Sequence, residues 1–453
     1  MAYRIEKDAL GKKKVPKEAL YGIHTQRAKE NFQISGKTLP LEIFYAIAEI
    51  KIAAANANYG LKLLNNKKRN TIIKAAKEIL KGKHDKEFVI DAFQAGAGTS
   101  THMNINEVIA NRALQLLKRK KGNYKVIHPN DDVNKGQSSN DVFPSAIKMV
   151  VVKKIKDLII ALRELKISLS RKAKEFKSVK KSGRTHLQDA VPITLGQEFH
   201  AYATTIEKNI LRINNNIKYL LELNIGKNAI GTGINTNPKF SKLIIKHLIK
   251  LNKIPWKESK DPIYTTQNIT DFLQFSETIK SLAVDLNKIA NDLRLLSSGP
   301  NTGLREIKLP AVEPGSSIMP GKVNPSIAEM LNMVCFQVIG NNEAISEATA
   351  AGQLELNVMT PLIAKNLIEN IEILTKAIKT FNERCVKGIK ADKEVCQYYF
   401  EHSVGLATLL NPYIGYDKAA EIVNKSLRTG KTIAQLVLEK KLLTKEQLDK
   451  LLR

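Results

Sequence analysis

The chain has 453 residues, of which 43% are hydrophobic and 6% aromatic, a length that predicts two or three domains rather than one. The 72 Lys and Arg residues outnumber the 44 Asp and Glu residues and give a formal charge of +28. The excess is mostly Lys in short runs without interleaved aromatic residues, which argues against a nucleic-acid or membrane surface.

Cysteine usage and the first residues predict a cytoplasmic protein. Cys335, Cys385 and Cys396 are sparse and lack metal-ligand spacing, which suits a reducing compartment. Residues 1–20 are charged and contain no apolar signal core, and no apolar run is long enough to span a bilayer. We therefore expect no membrane partner, and a positive field that attracts an anionic substrate.

Up to about residue 140 the pattern is broken, and it predicts short helices at residues 72–80 and 106–117. A first polar cluster at residues 96–104 places Thr99 on a Gly-rich turn before a helix. Backbone N–H groups at a helix start attract carboxylates, whereas Thr is also a common N-cap residue. Both interpretations stay open for this cluster.

A second polar cluster opens the first long helix with Ser138, Ser139 and Asn140. Capping a helix requires one such residue, so a run of them indicates binding as well as capping. Pro144 follows near the predicted helix start, where a missing N–H is tolerated.

Apolar residues recur at steps of three and four over residues 155–169, 206–220, 275–296 and 367–381. This spacing predicts long helices that pack through one apolar stripe in a bundle. The stripes carry no chemistry of their own. Because long bundle helices often continue their packing across subunits, we expect a homo-oligomer.

A third polar cluster, at residues 183–189, contains Thr185 and His186. His186 lies between polar residues rather than within an apolar stripe, which favours a functional role over a structural histidine. Another helix is expected to begin near Gly196.

The segment GSSIMPGKVNP at residues 315–325 is the most informative part of the chain. Its two glycines permit unusual backbone angles, and its two prolines stiffen the flanks. Ser316 and Ser317 supply hydroxyls, Lys322 an ammonium suited to a carboxylate, and Asn324 an amide donor. Such a loop can close over a small anion and present a hydroxyl to it.

Glu329 lies at the start of a helix predicted over residues 327–339, where it can pair with a histidine and raise its basicity. The polar clusters together lack a Cys/His metal set, a P-loop and a dinucleotide fingerprint. Hydroxyls, amides, one Lys and one His can bind carboxylates and transfer a proton without a cofactor.

After about residue 395 the helices shorten, and residues 445–452 form a last amphipathic helix. The sequence therefore predicts a mainly α protein. We expect a mixed, mostly helical N-terminal domain at residues 1–140, a central helical bundle at 141–394 and a small helical C-terminal domain at 395–453.

The loop at residues 315–325 resembles the signature loop of the aspartase/fumarase superfamily. Further segments resemble it along nearly the whole chain, at residues 96–111, 183–196, 231–235 and 297–300. The resemblance implies a three-domain fold in which long central helices form the twenty-helix core of a homotetramer. Each active site would be shared by three subunits.

Within the superfamily, two interpretations compete. Residues 21–35, 265–270 and 351–361 resemble aspartate ammonia-lyases, which interconvert L-aspartate with fumarate and ammonia. Ser139, where aspartases usually have Thr, and residues 415–420 also fit class II fumarases, which hydrate fumarate. His102 stands where the family usually has Asn. The motifs favour the ammonia-lyase interpretation, with fumarase as the alternative.

The resemblance also implies a role for each polar residue around a small dicarboxylate. Ser316 would be the general base, and Lys322, His186 and Glu329 would complete the catalytic set, with Glu329 orienting His186. The residues expected to bind substrate are Thr99, Ser138, Ser139, Asn140, Thr185, His186, Ser317, Lys322 and Asn324. No cofactor is implied; Mg²⁺ activates some aspartases, but the sequence assigns it no ligand.

Overall fold

A computed structural model describes residues 2–452, and it confirms the mainly α fold class. The helices, in chain order, are α1 (Ile23–Asn31), α2 (Leu41–Gly60), α3 (Asn66–Ile79), α4 (Thr99–Leu116), α5 (Ser139–Glu175), α6 (Leu195–Leu220), α7 (Phe240–Asn252), α8 (Pro262–Gln267), α9 (Thr270–Leu296), α10 (Ser326–Ala350), α11 (Thr360–Arg384), α12 (Lys393–His402), α13 (Asn411–Ile414), α14 (Tyr416–Thr429), α15 (Ile433–Glu439) and α16 (Lys445–Leu451). The strands are β1 (Tyr3–Asp8), β2 (Gly11–Pro16), β3 (Lys180–Thr185), β4 (Gln188–Thr194), β5 (Glu222–Leu223), β6 (Lys257–Glu258), β7 (Ile307–Lys308) and β8 (Lys390–Ala391). The strands pair two by two, antiparallel except for β5 with β6.

The chain divides into two compact units that differ from the predicted domains. The first unit comprises residues up to 158, 211–281 and 337–374, and the second comprises residues 159–210, 282–336 and those from 375 on. The boundaries fall within α5, α6, α9, α10 and α11. The division at residues 140 and 394 stays a prediction.

In the first unit, α2 packs against α3, α4 and α7. Its sequence is rich in Ile and Ala, and buried residues occur on nearly every side of it. Phe44 of α2 stacks on Phe88 with 4.1 Å between the ring centroids. Because this helix is enclosed, its Lys51 has no solvent exposure although Lys is seldom fully buried.

Pro144 is the sixth residue of α5, near the helix start as predicted, but it lies beyond the first turn in which a missing N–H is tolerated. A proline there cannot donate to the carbonyl of residue 140. The Asn224 side chain supplies that bond instead, since its Nδ2 donates to Asn140 O at 3.2 Å. The long helix thus continues through a proline because a neighbouring amide satisfies the freed carbonyl.

The predicted apolar stripes lie on α5, α6, α9 and α11. Every residue of the stripes on α5, α9 and α11 is buried, whereas Ile210 and Ile217 of α6 are only partly buried. Helical periodicity therefore identified the packing faces correctly.

In the second unit, β3 and β4 form a hairpin whose tip residues follow Thr185 and precede Gln188. The C-terminal helices of this unit enclose a hydrophobic core of their own, which includes Phe400, Leu406, Leu410, Ile422, Leu436, Val437 and Leu448. Within residues 2–452, no helix combines the length and apolar character that crossing a membrane requires.

Candidate functional site

The Gly- and Pro-containing loop of the second unit is closed at its base. Gly315 N donates to Lys322 O at 2.7 Å, and Asn324 Nδ2 donates to Gly315 O at 2.8 Å. A Cβ at residue 315 would lie 2.7 Å from Asn324 N, so only glycine allows this approach. One N–H of Asn324 therefore holds the loop, and its predicted contact with substrate depends on its remaining donor.

Ser316 occupies a turn in which backbone amides point at its hydroxyl oxygen. Ile318 N and Met319 N donate to Ser316 Oγ at 3.2 and 3.0 Å. Donors fixed in this way stabilise negative charge on the oxygen they face. The side chains of Ser317 and Lys322 on the same loop are exposed.

The hairpin of β3 and β4 presents Thr185 and His186 at its exposed tip. His186 and Leu187, the two residues of the turn, have φ angles of 54° and 60°. Two-residue hairpin turns of this kind favour Asn and Gly, because other residues are strained at positive φ. The backbone therefore holds His186 in a conformation that its own preferences oppose.

A buried ion cluster, which sequence analysis missed, anchors this hairpin. Glu306 has no exposure and contacts Lys181 Nζ at 2.7 Å and Arg184 NH1 at 2.9 Å. Lys181 of β3 also contacts Glu198 at 2.8 Å. The cluster fixes the strand that leads to Thr185. In the sequence, the only indication of this cluster is the presence of charged residues within segments whose other residues are buried.

In the first unit, Ser138, Ser139 and Asn140 lie side by side at the start of α5 and are half-buried. Ser138 Oγ accepts from Asn140 N at 3.2 Å, and Asn140 Nδ2 donates to Ala229 O at 2.7 Å. Hydrogen-bonding capacity remains on each side chain, so capping and ligand binding are compatible here.

Asp141 holds the start of α5 against a neighbouring loop. Its carboxylate accepts from Ser138 N, Gly226 N and Asn228 N at 2.9–3.0 Å. Burial raises the pKa of Asp141 to about 6, while these backbone donors act against the shift. Asp141 is therefore a structural support for the serines beside it.

Thr99 is the first residue of α4 and is half-buried. The preceding Ala97 and Gly98 both have positive φ, and Ala97 N donates to Val358 O at 2.7 Å. A Cβ at Gly98 would lie 2.4 Å from the Phe143 ring, so glycine is required there. The tight turn places the Thr99 side chain at the start of α4, seven residues before the helix predicted over residues 106–117.

A second network that the sequence did not reveal lies behind Ser139. His102 Nδ1 lies 2.9 Å from Ser139 Oγ, and His102 Nε2 lies 2.7 Å from Lys51 Nζ. His102 and Lys51 are both fully buried. The available signal was a lysine, Lys51, within the Ile- and Ala-rich run of α2.

The predicted site residues fall into both units. Thr99 and residues 138–140 belong to the first unit, and the residues of the hairpin tip and the loop belong to the second. The described side chains show no hydrogen bond or ion pair between His186 and Glu329. The assigned roles, including that of Glu329, stay predictions.

Residues 2–452 contain no group of three or more His, Cys, Asp or Glu side chains that could hold a metal ion. No site for Mg²⁺ is therefore assigned among them.

Comparison with known proteins gives matches along the chain. Residues 11–340 match the Lyase family, and residues 406–453 match the family described as Fumarase C C-terminus. Aspartate ammonia-lyase from Bacillus subtilis is 46% identical over 99% of this chain and 94% of its own length. The enzyme of the same name from Pseudomonas aeruginosa is 48% identical over 99% of this chain and 95% of its own.

Solved structures agree with these matches. Fumarate lyase:delta crystallin from Brucella melitensis has a TM-score of 0.96 and 45% identity, covering 100% of this chain and 98% of that one. Class II fumarase from Schistosoma mansoni has a TM-score of 0.96 and 38% identity, with the same coverage.

Proposed function

Because the chain belongs to the aspartase/fumarase family of lyases, we propose that it catalyses the reversible deamination of L-aspartate to fumarate and ammonia. The observation that carries this choice is the 46–48% identity to aspartate ammonia-lyases over nearly their full length, against 38% to a class II fumarase. The enzyme is accordingly a carbon–nitrogen lyase that acts on a small dicarboxylate.

The hard step is removal of a proton from the carbon next to a carboxylate. An ionised Ser316 Oγ takes this proton, and the backbone N–H groups of Ile318 and Met319 make its negative charge less costly. The electron pair of the broken C–H bond first moves onto the adjacent carboxylate, which becomes an enediolate-like group with one more negative charge. This pair then forms the C=C double bond as the electron pair of the C–N bond leaves with ammonia. Ser316 then passes the proton to ammonia, so that ammonium and fumarate result.

The remaining residues bind the two carboxylates and the amino group. The carboxylate that gains charge is held by Ser317, Ser138 and Ser139, and the other by Lys322, Asn324 and Thr185. Thr99, Asn140 and His186 surround the amino group, and Glu329 orients His186. Fixed donors of this kind stabilise the charged intermediate without reorganisation.

We propose a homotetramer whose active sites are each shared by three subunits. In the second unit, Met333 and Phe336 on α10 are 63% and 57% exposed, and Ile160 and Ile167 on α5 and Val284 on α9 are also exposed. Large apolar side chains on long helices favour burial against further copies of the chain. A cytoplasmic location is supported by Cys335, Cys385 and Cys396, which are free buried thiols.

The function is tested by incubating the protein separately with L-aspartate and with L-malate and measuring fumarate, with ammonia measured in parallel. We expect fumarate and equal ammonia from L-aspartate. Fumarate from L-malate alone would establish the fumarase alternative, which Ser139 favours. Fumarate from neither substrate would contradict both.

A further inference from the structure

Ser139 connects the proposed site with the protein interior through His102 and Lys51. The Ser139 side chain is half-buried, whereas His102 and Lys51 have no exposure. The distances of 2.9 and 2.7 Å along this chain of side chains allow a hydrogen bond at each step. The direction of these bonds decides whether Ser139 can donate its proton to a ligand.

Two further partners of Lys51 accept hydrogen bonds from it. Asn134 Oδ1 and Gln137 Oε1 lie 2.8 and 3.0 Å from Lys51 Nζ. The amide nitrogens are engaged elsewhere, since Asn134 Nδ2 donates to Gln137 O and Gln137 Nε2 donates to Val133 O and Lys135 O. Both amide oxygens must therefore face Lys51 and accept from it.

With Lys51 as an ammonium, its third hydrogen points at His102 Nε2, which accepts it. A neutral imidazole that accepts through Nε2 carries its hydrogen on Nδ1, and this group faces Ser139 Oγ. Burial lowers the pKa of Lys51, and the Asp141 carboxylate acts against this shift. Burial and the Lys51 charge together lower the pKa of His102, which keeps its ring neutral.

We propose that Lys51 and His102 are positioning residues that orient the Ser139 hydroxyl for the substrate. His102 donates to Ser139 Oγ, so the Ser139 proton is directed away from the interior and is donated to a substrate carboxylate. With the opposite polarity, Ser139 would donate to His102 and turn only lone pairs toward the anion. The inference rests on the proposed function, because the acceptor is the dicarboxylate.

The same pair accounts for the two departures from the family pattern. Thr, usual at position 139 in aspartases, has a β-branch that restricts χ1, whereas Ser can adopt any of three staggered rotamers. The hydrogen bond from His102 selects one of these rotamers. His102 thus holds the Ser139 hydroxyl through the contact of 2.9 Å.

The hydrogen-bond polarity is tested on the wild-type protein by magic-angle-spinning NMR with ¹⁵N-labelled histidine, the His102 signals being assigned with His102→Asn. We expect a neutral ring protonated on Nδ1. A ring protonated on Nε2 would overturn the inference, because Lys51 would then accept and Ser139 would donate inward.

A double-mutant cycle tests the functional consequence. His102→Leu should lower kcat/KM for L-aspartate about tenfold, mainly by lowering kcat, because Ser139 contacts the carboxylate that gains charge in the transition state. In the Ser139→Ala background the same substitution should have no further effect, and in the Ser139→Thr background a smaller one. His102→Asn keeps a donor at the place of Nδ1 and should lose less than His102→Leu.

Equal losses from His102→Leu in all three backgrounds would overturn the proposal, because they would indicate a general structural role. Thermal unfolding of each variant identifies those that fail to fold, and the wild-type NMR result decides the polarity in that case. If wild-type protein released no fumarate from L-aspartate, the proposed function would fail. The NMR measurement of the His102 tautomer does not require activity and would still test the hydrogen-bond polarity.

Discussion

Individual residues differ in how strongly their surroundings prepare them for chemistry. An ordinary serine hydroxyl is a very weak base, but Ser316 Oγ already accepts two backbone N–H groups within its loop. His186 is prepared differently, since its turn holds it at positive φ. Strain of this kind persists only where the surrounding structure enforces it, as the ion cluster beneath the hairpin does.

Ser316→Ala should reduce kcat about a hundredfold or more, because it removes the oxygen that accepts the proton. Binding of substrate and the oligomeric state should be largely unchanged. Steady-state kinetics with L-aspartate measure the effect, and Ser178→Ala, at an exposed serine, is the matched control. Near-full kcat in Ser316→Ala would show that another group is the base.

Glu78 should contribute stability that acid removes. Arg112 donates to its carboxylate through Nε and NH2 at 2.6 and 3.1 Å, and this hydrogen bonding lowers the pKa of Glu78 to about 2 from 4.5. Since the folded-state pKa is lowered, the contribution is present above about pH 4.5 and is lost as the pH falls toward 2.

Glu78→Gln should therefore lower Tm at neutral pH. The difference in Tm between this variant and the wild type should narrow as the pH falls from about 4.5 toward 2. Thermal unfolding followed across the pH range measures it. A difference in Tm that stayed constant with pH would contradict an ionic contribution.

At the scale of elements, the β3–β4 hairpin depends on charges buried beneath it. Glu306 is enclosed with Lys181 and Arg184, although exposed pairs elsewhere contribute little. A buried pair need not exceed a hydrophobic alternative in stability, but breaking it leaves a charge without a partner. The cluster therefore couples the stability of the hairpin to the placement of Thr185 and His186.

Glu306→Ala should destabilise the protein by about 3 kcal/mol, the low end for a broken buried ion pair, because Lys181 would remain buried with Glu198 as its remaining carboxylate. It should also lower kcat/KM, since the hairpin tip loses its support. Denaturant unfolding and kinetics measure the two effects. Glu383→Ala, which removes an exposed partner of Lys387 on the surface, is the control and should cost less than about 0.5 kcal/mol.

At the scale of the whole molecule, the long helices present apolar side chains that the single chain leaves exposed. Phe336 and Met333 are the most exposed of these on α10. A tetramer would bury them and would bring residues of different chains together at one site. The proposed assembly and the proposed activity therefore depend on each other.

Phe336→Asp should dissociate the oligomer, because a charge would have to enter an apolar interface. Size-exclusion chromatography with light scattering measures the mass, and activity should fall together with the tetramer. Tyr416→Asp, at an exposed aromatic residue of α14, should leave the mass unchanged. A Phe336→Asp variant that stayed tetrameric would place the interface elsewhere.

The sequence by itself determined the long bundle helices and the family, because both signals are local. A helix repeats every 3.6 residues, so the stripes of α5, α9 and α11 could be read from spacing, and the loop at residues 315–325 is contiguous. The start of α4 at Thr99 was less predictable, because the tight turn at Ala97 and Gly98 decides it and no side chain caps the helix. The continuation of α5 past Pro144 was also less predictable, because the Asn224 amide supports it.

Only the tertiary structure decided which polar groups meet. Lys51 is 51 residues from His102, which is 37 residues from Ser139, and Arg184 is 122 residues from Glu306. Spacing along the chain carries no information about such pairs, because the fold brings them together and burial then makes each hydrogen bond necessary. The residue types of the site could thus be predicted from the linear sequence. The direction of the hydrogen bond made by Ser139 depends instead on a buried lysine.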